Sequence, residues 1–324
     1  MCLFKNHTTS TPISYNRISF QMISVALCTY NGEKYITSQI ESILNQSLPV
    51  DEIVVCDDGS SDSTLDILNA IKDSCAIKIH IHQNKTNLGV CANFEQAISL
   101  CQGDVIFLSD QDDIWEQNKV QTIVYWFNQN KDKSAVFTDA KLITEDDNPF
   151  IDKTLWDCIG FNKKMRKYFD KGLALESFFI NKATGATMAI RKELQFSFAK
   201  YCNNDNVLHD YCIALKALDN NKLGYIDKPL IKYRIHSNQQ AGISYQLNHP
   251  EIFGNILRPL CNIPSDFCFK NELTVRHAKF GHKRASFTFF NVFFNPHNYI
   301  QLYKTYFLRF YLYDLVYKIR AAMK

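Results

Sequence analysis

The sequence predicts an α/β protein with a Rossmann-like, mostly parallel sheet sandwiched between helices. Two observations lead to this fold class. Along residues 22–108, short apolar segments rich in β-formers alternate with segments whose apolar residues recur at helical spacing. Polar and acidic residues follow directly where three of these apolar segments end. In open parallel sheets, that edge is where ligands bind.

The first two strand–helix units lie in residues 22–74. Residues 22–28 predict a strand, and residues 33–45 predict a helix because their apolar members fall on one helical face. Residues 53–56 predict a second strand, and residues 60–63 offer capping side chains to the helix that follows. The repeated order indicates strands that run parallel.

The pattern continues to residue 127. Residues 77–81 and 105–108 predict a third and a fourth strand, and residues 87–101 predict the helix between them. A further helix is expected over residues 116–127, directly after an acidic stretch. This completes a compact strand–helix repeat that could bind a nucleotide.

Beyond residue 130 the pattern is weaker. Residues 135–143 predict a strand, whereas residues 145–171 are polar and irregular. Residues 183–190 are rich in small side chains, residues 210–218 predict a helix, and residues 229–235 resemble an edge strand because they begin with proline. We expect this half to bind the second substrate of whatever reaction the first half supports.

Composition excludes several classes of protein. The 324 residues are 46% hydrophobic, enough for a sizeable core. The eleven cysteines include no C-x-x-C pair, which argues against a disulfide framework or a structural zinc site and favours the reducing cytoplasm. No secretory signal or membrane span is predicted, because residues 1–20 are polar and no eighteen-residue segment is cleanly apolar.

We therefore divide the chain into a lead-in, residues 1–20, a catalytic domain, residues 21–245, and a C-terminal extension, residues 246–324. The catalytic domain comprises a nucleotide-binding half up to residue 130 and an acceptor half from residue 131. The extension is helical in pattern, aromatic and basic, with ten Lys/Arg against two Asp/Glu over residues 270–324. It suits either peripheral contact with anionic lipid or packing on the catalytic domain or a second subunit.

Two carboxylates separated by one residue, Asp110 and Asp112, follow the fourth predicted strand. Such a pair can hold Mn²⁺ or Mg²⁺ while the diphosphate of a nucleotide completes the coordination shell. Alternatively, the negative charges of Asp112 and Asp113 stabilise the helix that follows, because the N-terminal end of its dipole is positive. The two roles are compatible.

A second acidic pair, Asp57 and Asp58, follows the second predicted strand. These carboxylates could accept hydrogen bonds from a nucleotide base and from ribose hydroxyls, and would face the same crevice as the first pair. The alternative is an Asp-Gly turn in which Ser60 caps the next helix.

The segments "SVALCTYNGEKYITSQIESILNQS", "EIVVCDDGSSDST", "NLGVCANF" and "DVIFLSDQDDIW" resemble family 2 glycosyltransferases of the GT-A fold. Later segments, "ATGATMAIRKEL", "LHDYCIALKA" and "YIDKPLIKYRIHSNQQAG", resemble rhamnosyltransferase-like members that build bacterial surface polysaccharides. Several separated segments in the same order are more specific than one motif.

The resemblance implies a role for each matching residue. Asp110 and Asp112 would bind the metal, and Asp210 would be the base that takes a proton from the acceptor hydroxyl. His209, Gly185 and Trp115 would lie on the acceptor side. The donor nucleotide sugar would be contacted by Thr29, Tyr30, Asn31, Glu33, Asp57, Asp58, Asn87, Asp110, Gln111, Arg234 and His236.

Alternatives remain for the later residues. Asp210 could serve only to stabilise the N-terminus of the helix that it begins. His209 beside it would then have a structural role and not a catalytic one. Arg234 and His236 could be ordinary polar residues of an exposed edge strand. Sequence spacing does not decide between these readings and the functional ones.

The resemblance thus implies an inverting, metal-dependent enzyme that moves one sugar, with rhamnose indicated, from a UDP- or dTDP-sugar to a glycan or lipid-linked glycan acceptor. The absence of a Q-x-x-R-W motif indicates single addition. The alternatives are a sugar nucleotidyltransferase and a catalytically silent scaffold in a glycan biosynthesis complex. We expect a cytoplasmic protein, peripheral at the inner face of the cell membrane if the extension binds lipid, with no nucleic-acid partner. The sequence leaves its oligomeric state open.

Overall fold

A computed structural model of the chain describes residues 21–172, 181–202, 208–236 and 239. The predicted lead-in and C-terminal extension lie outside these residues. Within the described part, no helix combines the length and the apolar character needed to cross a bilayer.

The first half folds as alternating strands and helices. The strands β1, β2 and β4 are short and mostly apolar, and β1 is buried along its whole length, whereas β3 alternates isoleucine with polar residues. Each helix turns one apolar face toward the sheet, as its sequence period predicts. The elements are β1 (Ile23–Thr29), α1 (Ile36–Leu44), β2 (Glu52–Asp57), α2 (Thr64–Ser74), β3 (Lys78–Gln83), α3 (Val90–Leu100) and β4 (Val105–Ser109).

The second half contains shorter and less regular elements. They are β5 (Ile114–Trp115), α4 (Lys119–Gln129), β6 (Ala135–Ile143), β7 (Pro149–Thr154), α5 (Leu155–Ile159), α6 (Lys163–Asp170), β8 (Met188–Arg191), α7 (His209–Asp219) and β9 (Leu223–Arg234). Three 3₁₀ turns accompany them, at Gly185–Thr187, Lys192–Leu194 and Ala199–Tyr201.

One sheet joins both halves, in the order β3-β2-β1-β4-β8-β6-β9-β5, with β7 paired to β6. Strands β1 to β4 are mutually parallel, and β6 runs parallel to β9. Strand β8 is antiparallel to both β4 and β6, so it joins the two parallel groups. The predicted mostly parallel α/β fold is therefore correct, with antiparallel pairing concentrated in the second half.

The core lies on both faces of the sheet because alternate residues of each strand point to opposite sides. Ala26 and Cys28 face a layer that contains Phe94 of α3 and residues of α7. Val25 and Leu27 face the opposite layer, where α1 and α4 pack. The sheet is thus covered by helices on both sides, as predicted.

The prediction of irregular structure over residues 145–171 was wrong, since β7, α5 and α6 lie there. A capping box formed by Thr154 and Asp157 starts α5. Trp156 is buried against Phe137 and Phe161, which contact it from another strand and from the next loop. These distant contacts stabilise elements too short to show a period in the sequence.

The edge-strand prediction for residues 229–235 was also wrong. Strand β9 begins at Leu223 and pairs with β6 on one side and β5 on the other. Pro229 lies opposite Asp139, where the pairing register shifts on both sides of Asp139. A proline is tolerated there because the hydrogen-bond ladder is already interrupted.

Candidate functional site

The site lies at the edge of the sheet where the parallel strands β1, β2 and β4 end. Thr29 at the end of β1 is opposite Asp57 at the end of β2, and Leu27 is opposite Ser109 at the end of β4. The three polar loops that follow these strands therefore meet at one edge, as the sequence predicts.

Asn31 joins the loop after β1 to the loop after β2. Its backbone adopts a positive φ of 49°, which asparagine tolerates better than most residues. Its N–H donates to the Ser60 hydroxyl at 2.8 Å, and its side-chain oxygen accepts from the Ser61 N–H at 2.8 Å. The two loops are thus held in a fixed relation.

Asp57 is fully buried at this junction. One carboxylate oxygen accepts from the backbone N–H groups of Gly59 and Ser60, and the other accepts from the hydroxyls of Thr29 and Ser60. The Asp-Gly turn that was the alternative to base contact is therefore present, but Ser60 donates its hydroxyl to Asp57 and does not cap α2. With these four donors, Asp57 holds the loops and offers no open face to a ligand.

Asp58 is likewise buried and bonded within the chain. Its carboxylate accepts from the N–H groups of Leu88 and Gly89 at 2.7 and 2.9 Å and from the Asn84 amide at 2.9 Å. The exposed Asn87 donates to the Asp58 carbonyl at 3.2 Å. Asp58 thus positions the loop that leads into α3.

Gln111 connects the loop after β4 to the loop after β1. Its side-chain amide accepts from the Tyr30 N–H at 2.8 Å and donates to the Tyr30 carbonyl at 3.0 Å. Gly32 is needed beside it, because any Cβ there would overlap the Gln111 side chain. The Tyr30 ring itself is 40% exposed and is available to a ligand.

Glu33 lies at the outer margin of the site and is exposed. Its carboxylate accepts from the Ser63 N–H at 2.9 Å, at the start of α2. The contact satisfies a backbone donor of a helix end. In this structure Glu33 therefore caps a helix.

Three carboxylates form the floor of the crevice. Asp110 and Asp112 are half-buried and Asp113 is buried. Burial, together with the charges of Asp112 and Asp210, raises the pKa of Asp110 to about 8. Asp210 comes from the other half of the chain, so the fold brings the predicted base close to the predicted metal site.

Asp112 is paired with His236, whose Nε2 lies 2.8 Å from the carboxylate oxygen. The His236 ring packs on Tyr35 with the centroids 5.0 Å apart. Among the described residues, no three His, Cys, Asp or Glu side chains are arranged to hold a metal ion. Mg²⁺ and Mn²⁺ nevertheless suit one or two protein ligands when substrate phosphates supply the rest.

The environment of Asp113 also favours the binding of a positively charged group beside these carboxylates. One of its oxygens accepts from the Arg234 N–H at 3.0 Å, but the other is buried without a hydrogen-bond partner. Burial, and then the charges of Asp112 and Asp110, raises the pKa of Asp113 well above its ordinary value. A divalent cation held by Asp110 and Asp112, with substrate phosphates as its other ligands, would reduce the mutual repulsion of these carboxylates.

Arg234 does not face the crevice as predicted. Its guanidinium donates to the carbonyls of Asp112, Thr144 and Glu145 and pairs with Asp147 at 2.6 Å. The side chain is almost completely buried, so these protein groups use its hydrogen-bonding capacity. Arg234 anchors the end of β9 and the loop of Asp112.

The candidate base, Asp210, lies in the first turn of α7 and is buried. Its carboxylate accepts from the N–H groups of Gly185 at 3.1 Å and Tyr211 at 2.6 Å. Burial raises the pKa of Asp210, whereas these hydrogen bonds and the charge of His209 oppose the shift. Gly185, His209 and Asp210 therefore lie together at the start of α7.

His209 is buried and stacks on Phe94 with ring centroids 3.9 Å apart. Neither ring nitrogen has a hydrogen-bond partner within the described part of the chain. A Cβ at position 185 would lie 2.5 Å from the His209 Nε2. Gly185 is therefore required for the close approach of this ring to the loop that binds Asp210.

Trp115 does not lie on an acceptor surface, which corrects its predicted place. It is 3% exposed, pairs through its backbone with β9, and packs on Phe107 with ring centroids 5.6 Å apart. The sequence places Trp115 close to the acidic motif, but the pleat of β5 turns it into the core.

Lys119, the first residue of α4, is a site residue that sequence reasoning missed. It is fully buried, its Nζ donates to the Ala186 carbonyl at 2.7 Å, and it lies 3.9 Å from the Trp115 ring centroid. Burial lowers the pKa of Lys119 to about 7, while Asp113 and Asp110 oppose the shift. A sequence signal was present, since Lys119 shares the apolar face of α4 with Val120 and Ile123.

Comparisons with known proteins give matches that cover more than half of this chain. The profile described as "Glycosyl transferase family 2" matches residues 24–194. A dTDP-rhamnosyl transferase RfbG from Shigella flexneri is 30% identical over 243 residues, which are 70% of this chain and 78% of the relative. An uncharacterized glycosyltransferase from Haemophilus influenzae is 28% identical over 68% of each chain.

A similar fold is found in the crystal structure of S. aureus TarS 1–349 in complex with UDP. The TM-score is 0.52 at 17% sequence identity, and the match covers 86% of this chain and 77% of that chain. At this identity the likeness concerns the fold alone. It establishes the predicted GT-A architecture.

Proposed function

The chain belongs to glycosyl transferase family 2, and we propose from this premise that it moves a single sugar from a nucleotide donor to a hydroxyl of a bacterial surface glycan or its lipid-linked precursor. The proposed reaction inverts the anomeric carbon and requires Mn²⁺ or Mg²⁺. The observation that carries the proposal is that Asp110 lies close enough to both Asp112 and Asp210 for their charges to raise its pKa.

Asp112 and His236 would hold the divalent ion, with Asp110 beside them. Their oxygen and imidazole donors suit Mn²⁺, and the unpartnered oxygen of Asp113 lies in the same acidic cluster. When bound, the ion would neutralise charge that develops on the departing nucleoside diphosphate.

The donor nucleotide would lie against the loops after β1, β2 and β4. The exposed Tyr30 ring is suited to contact a base or ribose. The backbone around it is kept in place by Gln111 and Asn31. Thr29, Asp57 and Asp58 would support nucleotide binding indirectly, by fixing these loops, because both carboxylates accept hydrogen bonds from groups of the protein itself.

Asp210 would accept the proton of the attacking hydroxyl. A general base must be ionised and within hydrogen-bond reach of that hydroxyl. The N–H groups of Gly185 and Tyr211 stabilise the ionised form against the effect of burial. Transfer of this proton to Asp210 would accompany direct displacement of the nucleoside diphosphate.

Rhamnose from a dTDP donor is the sugar that we propose first, because the Shigella flexneri relative is described as a dTDP-rhamnosyl transferase. The UDP complex of TarS makes UDP-sugars the second group to test. A peripheral membrane position is proposed for the basic, aromatic extension, and flotation with anionic liposomes would test it. A chain ending near residue 245 should float less than the full chain.

A panel of nucleotide sugars with Mn²⁺ tests the proposed reaction. Release of dTDP or UDP together with a product one sugar larger by mass spectrometry is expected, and proton NMR of the product should show an inverted anomeric centre. Release of pyrophosphate would instead indicate a nucleotidyltransferase. Absence of any turnover across donors and acceptors, despite nucleotide binding, would favour a silent scaffold.

A further inference from the structure

Lys119 is the first residue of α4, a few residues after the acidic loop that follows β4. Its Nζ donates to the Ala186 carbonyl at 2.7 Å. The charges of Asp113 and Asp110 also act on the ammonium group and oppose the fall in its pKa. The lysine therefore ties the start of α4, in the nucleotide half, to the 3₁₀ turn Gly185–Thr187, in the acceptor half.

The connection continues to the candidate base. Ala186 follows Gly185, whose N–H donates to the Asp210 carboxylate at 3.1 Å. The His209 ring packs against the same glycine and permits no side chain there. Displacement of this turn would therefore move a hydrogen-bond donor away from the base.

A lysine at this position is unfavourable for stability alone. It is completely buried, and burying a cationic group costs free energy that a methionine of similar volume would avoid. It also occupies the first turn of α4, where the helix dipole disfavours a positive charge. Its contact with the Trp115 ring at 3.9 Å offsets only part of this cost.

We propose that Lys119 is a positioning residue that fixes Asp210 relative to the metal-side carboxylates through the Ala186–Gly185 turn. The inference rests on the proposed glycosyl transfer and deepens it. Its hydrogen bond to Ala186 is available in both protonation states, because an amine and an ammonium each donate. The role concerns the geometry of the chemical step, so donor binding should depend on it much less.

The test compares Lys119→Met with Lys182→Met. Lys182 is also buried and also donates to a backbone carbonyl, that of Ile159, but burial alone shifts its pKa, which indicates no charged partner. Lys119→Met should lower kcat for sugar transfer about hundredfold, the effect of misplacing a reacting group by about 1 Å. The Kd for dTDP or UDP with Mn²⁺, measured by calorimetry, should stay near the wild-type value. Lys182→Met should lower the melting temperature and leave kcat unchanged.

A second measurement does not depend on activity. In Lys119→Met, deuterium exchange should become faster in peptides covering residues 183–190, because the turn loses its anchor, whereas Lys182→Met should leave this segment unchanged. If the wild type transfers no sugar but this exchange result holds, the proposed function fails and the structural link stands. Wild-type kcat in Lys119→Met, parallel loss of nucleotide binding, or unchanged exchange would each overturn the inference.

Discussion

The nucleotide side and the base side of the crevice differ in how completely their polar groups are bonded. On the nucleotide side, the carboxylates of Asp57 and Asp58 and the amide of Gln111 all bond to backbone groups of neighbouring loops. On the base side, Asp210 accepts from two N–H groups, but His209 has no partner for either ring nitrogen within the described residues.

Under the proposed function, this difference corresponds to two tasks, nucleotide binding and proton transfer. Loops that are bonded to one another are organised before a nucleotide arrives, so little conformational entropy is lost when it binds. A buried, unpartnered imidazole beside a carboxylate is unfavourable for stability and is typical of a functional site. Substitutions on the two sides should therefore change different kinetic constants.

The largest effect is expected from Asp112→Asn. The substitution removes the charge of the proposed metal ligand and the ionic partner of His236, so metal binding and leaving-group stabilisation should fail together. Turnover should fall by about 10³-fold or more. Calorimetric titration of dTDP or UDP with Mn²⁺ should show binding greatly weakened, and normal binding in this variant would remove Asp112 from the metal site.

Asp210→Asn should impair the chemical step and leave nucleotide binding nearly unchanged. Loss of the proposed general base should lower kcat about 10³-fold, whereas the loops proposed to bind the nucleotide are untouched and donor Kd should stay close to wild type. Steady-state kinetics and calorimetry on the same preparation measure the two constants. Asp219→Asn, at the other end of α7, is the matched control and should keep full turnover. Wild-type kcat in Asp210→Asn would rule out Asp210 as the base.

Arg234→Met tests whether the buried arginine is structural. Three carbonyls would lose their donor, and the free energy of unfolding should fall by about 3 kcal/mol. Urea denaturation measures this loss. Arg166→Met is a useful comparison, because Arg166 donates to the carbonyl of Phe161 and pairs with an exposed Asp227, and its loss should cost less. Equal stability losses would indicate that Arg234 has no special anchoring role.

A smaller effect is expected from Gln111→Ala. Two hydrogen bonds to the Tyr30 backbone would be lost, so the loop should be less well organised and nucleotide binding should weaken about tenfold. The rate constant for transfer at saturating donor should change little. Gln121→Ala, on the surface of α4, provides the control, and equal affinities in the two variants would argue against preorganisation.

The smallest effect is expected in the pH dependence of the melting temperature of the metal-free protein. Because the pKa of Asp110 rises from 3.8 to about 8 on folding, the folded state binds more protons between these values, and stability should fall as pH rises through this range. Melting temperatures in EDTA should therefore decrease from pH 4.5 to 6.5, below the range where Lys119 titrates. Asp110→Asn should flatten the decrease without removing it, since Asp113 shifts in the same direction. An identical slope in this variant would contradict the raised pKa.

Much of the crevice could be predicted because its elements are local in the sequence. The strands before Asp57 and Asp110 are short apolar runs, and their parallel order brings both polar ends to one edge. The error on Trp115 has an equally simple cause. Proximity to a motif along the chain does not specify which face of a strand a side chain occupies, and that choice depends on how β5 pairs with β9.

The sequence by itself determined the alternation of strands and helices, the edge at which the acidic loops meet and the family to which they belong, because periodicity and short motifs are properties of neighbouring residues. Only the tertiary structure decided the partner of each charged group. Arg234 lies 122 residues from the carbonyl of Asp112 that it binds, and Lys119 lies 67 residues from Ala186. Charged side chains are long and form hydrogen bonds in many directions, so their partners are selected by packing across the sheet.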